Sequence, residues 1–106
     1  MSGFTTVAKV SELPPGKMLV VSVAEERVVL CNVDGKIFAV EDRCSHDDGT
    51  LSDGELIGAE IECPRHGARF DVKTGAVTCP PAVRPIRHFQ VQIDGDAVQI
   101  AAVHQD

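Results

Sequence analysis

Residues 63–71, CPRHGARFD, place Cys63 and His66 three positions apart, in a segment that turns apolar toward its end. A second pair, Cys44 and His46, lies in the preceding loop, and sixteen residues separate His46 from Cys63. Thiolates and imidazoles are metal ligands, and four of them on two glycine-containing loops rarely occur at these spacings by chance. The sequence therefore predicts a metal centre held by Cys44, His46, Cys63 and His66.

The order of these four residues bears on which metal they hold. Structural zinc sites also use two cysteines and two histidines, but they usually pair cysteine with cysteine and histidine with histidine on a helix. Here each loop offers one thiolate and one imidazole, and the chain shows no helix pattern. This order favours a binuclear iron centre, in which two thiolates bind one iron and two imidazoles bind the other. A zinc-stabilised structural module is the alternative.

Three longer stretches contain or follow the four residues. They are CSHDDGTLSDGEL (44–56), CPRHGARFDVKTGAV (63–77) and PPAVRPIRHFQVQIDGDAVQI (80–100). These stretches resemble the Rieske family, which implies the Rieske fold and one [2Fe-2S] cluster. The resemblance also implies that Cys44 and Cys63 bind the inner iron and that His46 and His66 bind the outer, more exposed iron. For a chain of this size it implies the ferredoxin component of a bacterial ring-hydroxylating dioxygenase-like system.

The Rieske family also includes the high-potential Rieske proteins of respiratory and photosynthetic cytochrome complexes. This chain differs from those proteins at four positions. In those proteins a disulfide ties the two loops, and a serine and a tyrosine donate hydrogen bonds to the cluster sulfurs. The matching positions here are Gly49 and Arg65, and Ala68 and Phe70. Because donors that stabilise the reduced cluster are missing, we expect a midpoint potential near the lower end of the roughly −150 to +300 mV range of Rieske centres.

Short runs of alternating apolar and polar residues predict an all-β fold. The predicted strands cover 17–23, 27–33, 36–41, 55–63, 68–72, 76–79, 88–93 and 97–103, with 55–63 folding back as a hairpin segment between the two loops. Asp-Gly pairs at 34–35 and 94–95 predict tight hairpins. We expect a single domain over 1–106, in which about 1–40 and 84–106 form a small antiparallel sandwich or barrel base. About 41–83 would form an inserted two-loop cluster-binding subdomain.

The composition is that of an ordinary globular protein. Of the 106 residues, 43% are hydrophobic and 25% are charged, and the formal net charge is −6. Acidic charge argues against nucleic acid binding, and the chain shows neither a signal-peptide pattern nor a spanning apolar stretch. We therefore expect a cytoplasmic monomer with no membrane or nucleic-acid partner, in which the cysteines stay reduced.

The residues beyond the metal motif favour an electron carrier over an enzyme. About forty residues follow His66, too few for the additional iron domain of an oxygenase, and no nucleotide-phosphate loop or second metal site is visible. We expect a one-electron carrier between a flavin-dependent reductase and a terminal oxygenase, with transient contacts and no catalytic residue. The alternative is a small Rieske relay subunit of a larger redox enzyme, such as a nitrite-reductase-like assembly. Cys31 and Cys79 lack a partner at ligand spacing and are not expected to be ligands.

Overall fold

The computed structural model describes residues 3–102, with side chains as far as Ala101. Within these residues the chain forms ten strands and a single turn of 3-10 helix at Val10–Glu12. The strands are β1 Thr5–Lys9, β2 Met18–Val23, β3 Glu26–Val33, β4 Lys36–Glu41, β5 Glu55–Ile57, β6 Glu60–Glu62, β7 Arg69–Asp71, β8 Val77–Cys79, β9 His88–Asp94 and β10 Ala97–Ala102. The described chain is therefore almost entirely strands and loops.

The larger sheet has six strands in the order β1-β10-β9-β4-β3-β2, and every neighbouring pair is antiparallel. The edge strands β1 and β2 contact each other, so the sheet curves into a nearly closed barrel. Asp34 and Gly35, which join β3 to β4, both have positive φ, at 52° and 95°. An Asp-Gly turn with two positive φ values matches the right-handed twist of the strands that it joins. This is one of the two predicted Asp-Gly hairpins, and the second joins β9 to β10.

The smaller sheet has four antiparallel strands in the order β5-β6-β7-β8. The predicted hairpin over 55–63 is observed as β5 and β6, which pair from Glu55 opposite Glu62 to Ile57 opposite Glu60. Both loops that carry the predicted ligands border this sheet, because one enters β5 and the other joins β6 to β7. The smaller sheet therefore holds both ends of the loop between β6 and β7 and the far end of the loop that enters β5.

Strand β3 is buried on both faces and connects two apolar cores. Val28 and Leu30 belong to a core inside the six-stranded sheet, together with Leu13, Val98 and Ile100. The alternate residues Val29 and Cys31 belong to a second core, which lies between the two sheets. Cys44 and Cys63 are part of this second core, so the predicted thiolate ligands rest directly on the base of the fold.

The all-β prediction is confirmed, and each predicted strand has an observed counterpart within two residues of its expected ends. Val103, the last residue of the predicted strand over 97–103, lies outside the described residues. The sequence did not indicate β1, because Thr5–Lys9 buries only Ala8 fully and pairs irregularly with β10 at an edge. No helix in the described part of the chain is long and apolar enough to cross a membrane.

Candidate metal centre

The two loops around the predicted ligands fold in the same way. In the first loop, the N–H of Cys44 donates to the carbonyl of Gly49, and the carbonyl of Cys44 accepts from the N–H of Asp48, both at 2.8 Å. In the second loop, the N–H of Cys63 donates to the carbonyl of Ala68 at 2.7 Å, and the carbonyl of Cys63 accepts from the N–H of Gly67 at 3.1 Å. Each cysteine therefore closes a tight turn that carries a histidine at its tip.

A positive φ at the fifth residue makes each of these turns possible. Asp48 has φ 62° and Gly67 has φ 76°, and both residues lie four positions after the cysteine of their loop. The left-handed conformation costs glycine little and is tolerated by aspartate better than by most other residues. The first loop comprises residues 44–50, and the second loop comprises residues 63–68.

The two thiols lie at the bottom of the site and are shielded from water. Cys44 and Cys63 are 0% and 1% exposed, within the core that also holds Leu51, Ala68 and Phe70. Burial raises the pKa of the Cys44 thiol, and hydrogen bonds from the N–H groups of His46 and Asp47 oppose that rise. N–H groups aimed at a cysteine sulfur stabilise the thiolate form that binds a metal.

The two imidazoles lie on the outer side of the thiols. The rings of His46 and His66 face each other edge to face, with centroids 5.1 Å apart. Both residues are exposed, and the side chain of His66 is 53% accessible. The arrangement therefore has a buried sulfur side and an exposed nitrogen side, as the sequence led us to expect for a thiolate-bound inner iron and an imidazole-bound outer iron.

A carboxylate lies between the thiols and the imidazoles. Oδ2 of Asp47 is 3.4 Å from Nδ1 of His66 and 3.9 Å from Sγ of Cys63. A carboxylate oxygen of Asp47 and the sulfurs of Cys44 and Cys63 all lie within 4.8 Å of one another. From the sequence, Asp47 is either a solvated loop charge or part of a docking rim, and neither interpretation places it beside the thiols. The one available signal was its position directly after His46.

Arg65 of the second loop binds this carboxylate. Its Nε donates to Oδ2 of Asp47 at 2.6 Å, and its Nη2 donates to Oδ1 at 3.1 Å. Hydrogen bonds from Arg65, and then from the N–H of Gly49, hold the pKa of Asp47 well below its usual range. The same carboxylate raises the pKa of Arg65. Asp47 is therefore ionised at neutral pH, but an arginine already compensates its charge.

The structure brings together Gly49 and Arg65, the two positions that match the disulfide cysteines of the high-potential Rieske proteins. A Cβ added at Gly49 would overlap the guanidinium of Arg65, so the small residue at 49 makes room for the large one at 65. The two loops are thus in contact here through an arginine side chain packed on glycine.

A second carboxylate anchors the first loop to the base. Asp42 directly follows β4, and its side chain is fully buried. It accepts hydrogen bonds from the N–H groups of Leu51 and Ser52 at 2.8 and 2.7 Å, from the Ser52 hydroxyl, and from Arg27 of β3. Because a buried carboxylate needs such partners, Asp42 fixes where the first loop ends.

The two remaining cysteines lie away from this group. Cys31 is buried in β3, and burial raises the pKa of its thiol to about 12. Cys79 ends β8 and is half-buried. Neither belongs to a group of three or more possible ligand atoms among the described residues.

The donor set fits a [2Fe-2S] cluster of the kind that the sequence suggested. Soft thiolates and imidazoles suit iron-sulfur centres, whereas a site built for magnesium or calcium would present mainly oxygen atoms. Cys44 and Cys63 would supply the thiolates from a buried core, and His46 and His66 would supply imidazoles at the surface. Leu51, Ala68 and Phe70, which share a core with the two thiols, offer no competing ligand.

Comparisons with known proteins agree with this chemistry. The Rieske [2Fe-2S] domain family matches residues 3–90. The biphenyl dioxygenase ferredoxin subunit of Pseudomonas sp. strain KKS102 is 39% identical over 106 residues, covering 95% of this chain and 97% of that protein. The relative is thus an electron-transfer component of matching length.

Solved structures give the same result. The ferredoxin of carbazole 1,9a-dioxygenase from Nocardioides aromaticivorans IC177 has a TM-score of 0.91 and 35% identity, covering 96% of this chain and all of that one. A chain from the complex of reduced oxygenase and oxidized ferredoxin in carbazole 1,9a-dioxygenase has a TM-score of 0.88 and 32% identity, covering 95% of this chain and 94% of that one.

These matches confirm the Rieske fold, the cluster type and the ferredoxin resemblance that the sequence predicted, and they leave the zinc-stabilised module without support. The chain belongs to the Rieske [2Fe-2S] domain family.

Proposed function

We propose that this protein is a one-electron carrier that takes electrons from a flavin-dependent reductase and passes them to the terminal oxygenase of a ring-hydroxylating dioxygenase system. The observation that carries the proposal is the pair of exposed imidazoles, His46 and His66, above the buried thiols of Cys44 and Cys63. Exposed imidazoles beside buried thiols would give an electron a short path between the centre and the surface. Relatives named as ferredoxin components of biphenyl and naphthalene dioxygenase systems support the choice of partners.

In this proposal Cys44 and Cys63 hold the inner iron, and His46 and His66 hold the outer iron. When bound, a Rieske cluster accepts and releases one electron, and imidazole ligands raise its reduction potential relative to an all-cysteine cluster. The protein's own part is to position the four ligands, to keep water from the sulfurs, and to expose the imidazole edge to a partner. No catalytic residue is needed.

The proposal also covers the domain organisation, oligomeric state and location of this carrier. We expect one domain over 1–106, with the base over about 1–40 and 84–106 and the cluster-binding insertion over about 41–83. We also expect a cytoplasmic monomer whose contacts with each partner are brief, since a carrier must leave one partner to reach the next. A fixed relay subunit is the second candidate, but the relatives that match along their full length are ferredoxin components.

Purification and reconstitution test the proposal. The isolated protein should be a brown monomer with two iron atoms and two sulfides per chain, and its reduced form should give the electron paramagnetic resonance signal of a binuclear cluster. With the reductase and terminal oxygenase of a biphenyl dioxygenase system, the loaded protein should support oxidation of biphenyl, and the system's own ferredoxin is the positive control. Each two-component mixture should be inactive.

Isolation only as part of a large flavoprotein would favour the relay subunit. A colourless protein that contains zinc would contradict the carrier proposal outright.

A further inference from the structure

The side chain of Arg65 joins the second loop to the first loop at two places. It contacts the carboxylate of Asp47 through two nitrogens, and its Nη2 also donates to the carbonyl of Thr50 at 3.0 Å. Two-point contacts between a guanidinium and a carboxylate are stronger and more specific in geometry than single hydrogen bonds. One arginine of the second loop thus holds the first loop through three hydrogen bonds.

Both ends of this contact are fixed by their surroundings. The N–H of Gly49 donates to Oδ1 of Asp47 at 3.0 Å, so the carboxylate is held by its own loop as well as by Arg65. The guanidinium fills the space above Gly49 that a larger residue would occupy. The side chains of Arg65 and Asp47 are only 33% and 17% exposed, so solvent screens the pair less than it screens a fully exposed ion pair.

Asp47 is close enough to the proposed ligands for its orientation to matter. Its Oδ2, the atom bound by Nε of Arg65, is also the atom 3.4 Å from Nδ1 of His66 and 3.9 Å from Sγ of Cys63. A carboxylate that is free to turn at this position would compete with imidazole and thiolate for a metal ion. The pair formed with Arg65 limits that freedom.

We propose that Arg65 is a positioning residue that, through Asp47, ties the two loops together, orients His66 and slows the loss of iron from the cluster. This inference depends on the proposed ligand set, because it assumes that His66 and Cys63 bind the cluster. The tie is electrostatic and therefore weakens as salt screens the pair. Its role should thus be visible as a salt dependence of iron loss.

The test measures iron loss from the loaded protein into excess chelator, followed by visible absorbance at about 0.05 and 0.5 M NaCl. Arg65→Met keeps the apolar stem of the side chain and removes the charge and the hydrogen bonds. We expect Arg65→Met and Asp47→Asn each to release iron about three- to tenfold faster at low salt, and to lose most of the salt dependence shown by the wild type. Arg65→Lys should release iron at an intermediate rate, because lysine keeps the positive charge but lacks the planar guanidinium that contacts both carboxylate oxygens.

Arg43→Met is the matched control. Arg43, which directly precedes the first loop, pairs with Asp48 of that loop at 3.0 Å, so this pair does not join the two loops, and both side chains are more than half exposed. The control removes the same charge near the site and should leave the rate of iron loss and its salt dependence at wild-type values.

Two further readouts separate positioning from a general loss of stability. The double variant Arg65→Met, Asp47→Asn should lose iron no faster than the faster of the two single variants, because both substitutions break the same contact between the loops. The electron paramagnetic resonance g values of the reduced cluster should shift in both single variants and stay unchanged in Arg43→Met. These values report the environment of the cluster rather than the stability of the fold.

Wild-type rates and g values in Arg65→Met, or fully additive effects in the double variant, would overturn the inference. Failure of the proposed function would look different, because the wild-type protein itself would then contain no binuclear cluster. If Arg65→Met does not load with iron, Arg65→Lys and the salt dependence of the wild type still decide the question. A salt-independent wild-type rate contradicts the electrostatic tie.

Discussion

The six-stranded sheet and the two loops are held in place by different interactions. In the sheet, neighbouring strands share continuous backbone registers, such as Met18–Val23 against Glu26–Cys31, over a core of buried aliphatic residues. In the loops, order comes from a few turn bonds, from the carboxylates of Asp42 and Asp47, and from the proposed ligands. Backbone pairing and apolar burial need no metal, whereas the loops have little apolar surface of their own to bury. The two regions should therefore respond differently to the same kind of change.

The two regions nevertheless share one strand. Because β3 is buried on both faces, Leu30 contributes to the core of the base while Val29 and Cys31 contribute to the core beneath the loops. A change on one side of β3 should thus affect one region more than the other, which makes the comparison testable with side chains of equal size.

The largest expected effect comes from removing a proposed ligand. His66→Ala should abolish binding of the cluster and the order of both loops, because ligand binding and loop order are coupled. The base should keep its strands, since its apolar core is built from residues such as Leu30 and Val98 and does not include His66. Iron content, visible absorbance and hydrogen exchange over residues 18–41 and 44–68 measure the three effects.

Cys31→Ala is the control for His66→Ala. It removes a buried thiol that is not a proposed ligand, so the variant should still bind two irons per chain. Full iron content in His66→Ala would exclude His66 as a ligand, and loss of exchange protection in the base would show that the two regions are not separable.

Shortening one leucine in each of the two apolar cores should have smaller effects, and these should differ between the cores. Leu30→Ala removes a fully buried side chain from the base core and should lower the free energy of unfolding by about 2–5 kcal/mol while iron loss stays near the wild-type rate. Leu51→Ala removes the same atoms from the core beneath the loops, next to Cys44 and Cys63, and should speed iron loss. Chemical denaturation measures the first effect and chelator-driven bleaching the second. Equal acceleration of iron loss by both variants would show that the cores act as one.

The base was the more predictable region because its signals are local. Short runs rich in Val, Ile and Leu mark the inner strands, and the Asp34-Gly35 pair between two such runs indicates a tight hairpin. The pairing of β4 with β9 was not predictable in this way, since it joins residues about fifty positions apart and leaves no short-range pattern. The edge strand β1 was missed because few of its side chains are buried.

The metal site was predictable in its residue types but not in its supporting contacts. Cys44, His46, Cys63 and His66 are distinctive because their spacing is distinctive, and the structure buries the two cysteines in one core and places the two imidazole rings 5.1 Å apart. Asp47 and Arg65 are ordinary residues in the sequence, and their contact joins two positions eighteen residues apart that meet only because the two loops approach each other. Contacts that depend on tertiary approach have no signal in a single sequence.

The smallest expected effect concerns the reduction potential. Phe70 is fully buried on β7, in the same core as Cys44, Cys63 and Ala68, and it has no group that donates a hydrogen bond. Phe70→Tyr places a hydroxyl donor among these residues, and a donor directed at the cluster stabilises the reduced, more negative state. We expect the midpoint potential to rise while it stays within the roughly −150 to +300 mV range of Rieske centres.

Phe89→Tyr provides the matched control, because Phe89 is buried in the base core rather than beside the thiols. The same added hydroxyl should leave the midpoint potential unchanged there, and redox titration followed by visible circular dichroism measures both variants. A wild-type midpoint that is already clearly positive would contradict the low-potential prediction from Ala68 and Phe70. An equal shift in both variants would show that the potential follows the polarity of the whole protein, so that the loops do not control it separately from the base.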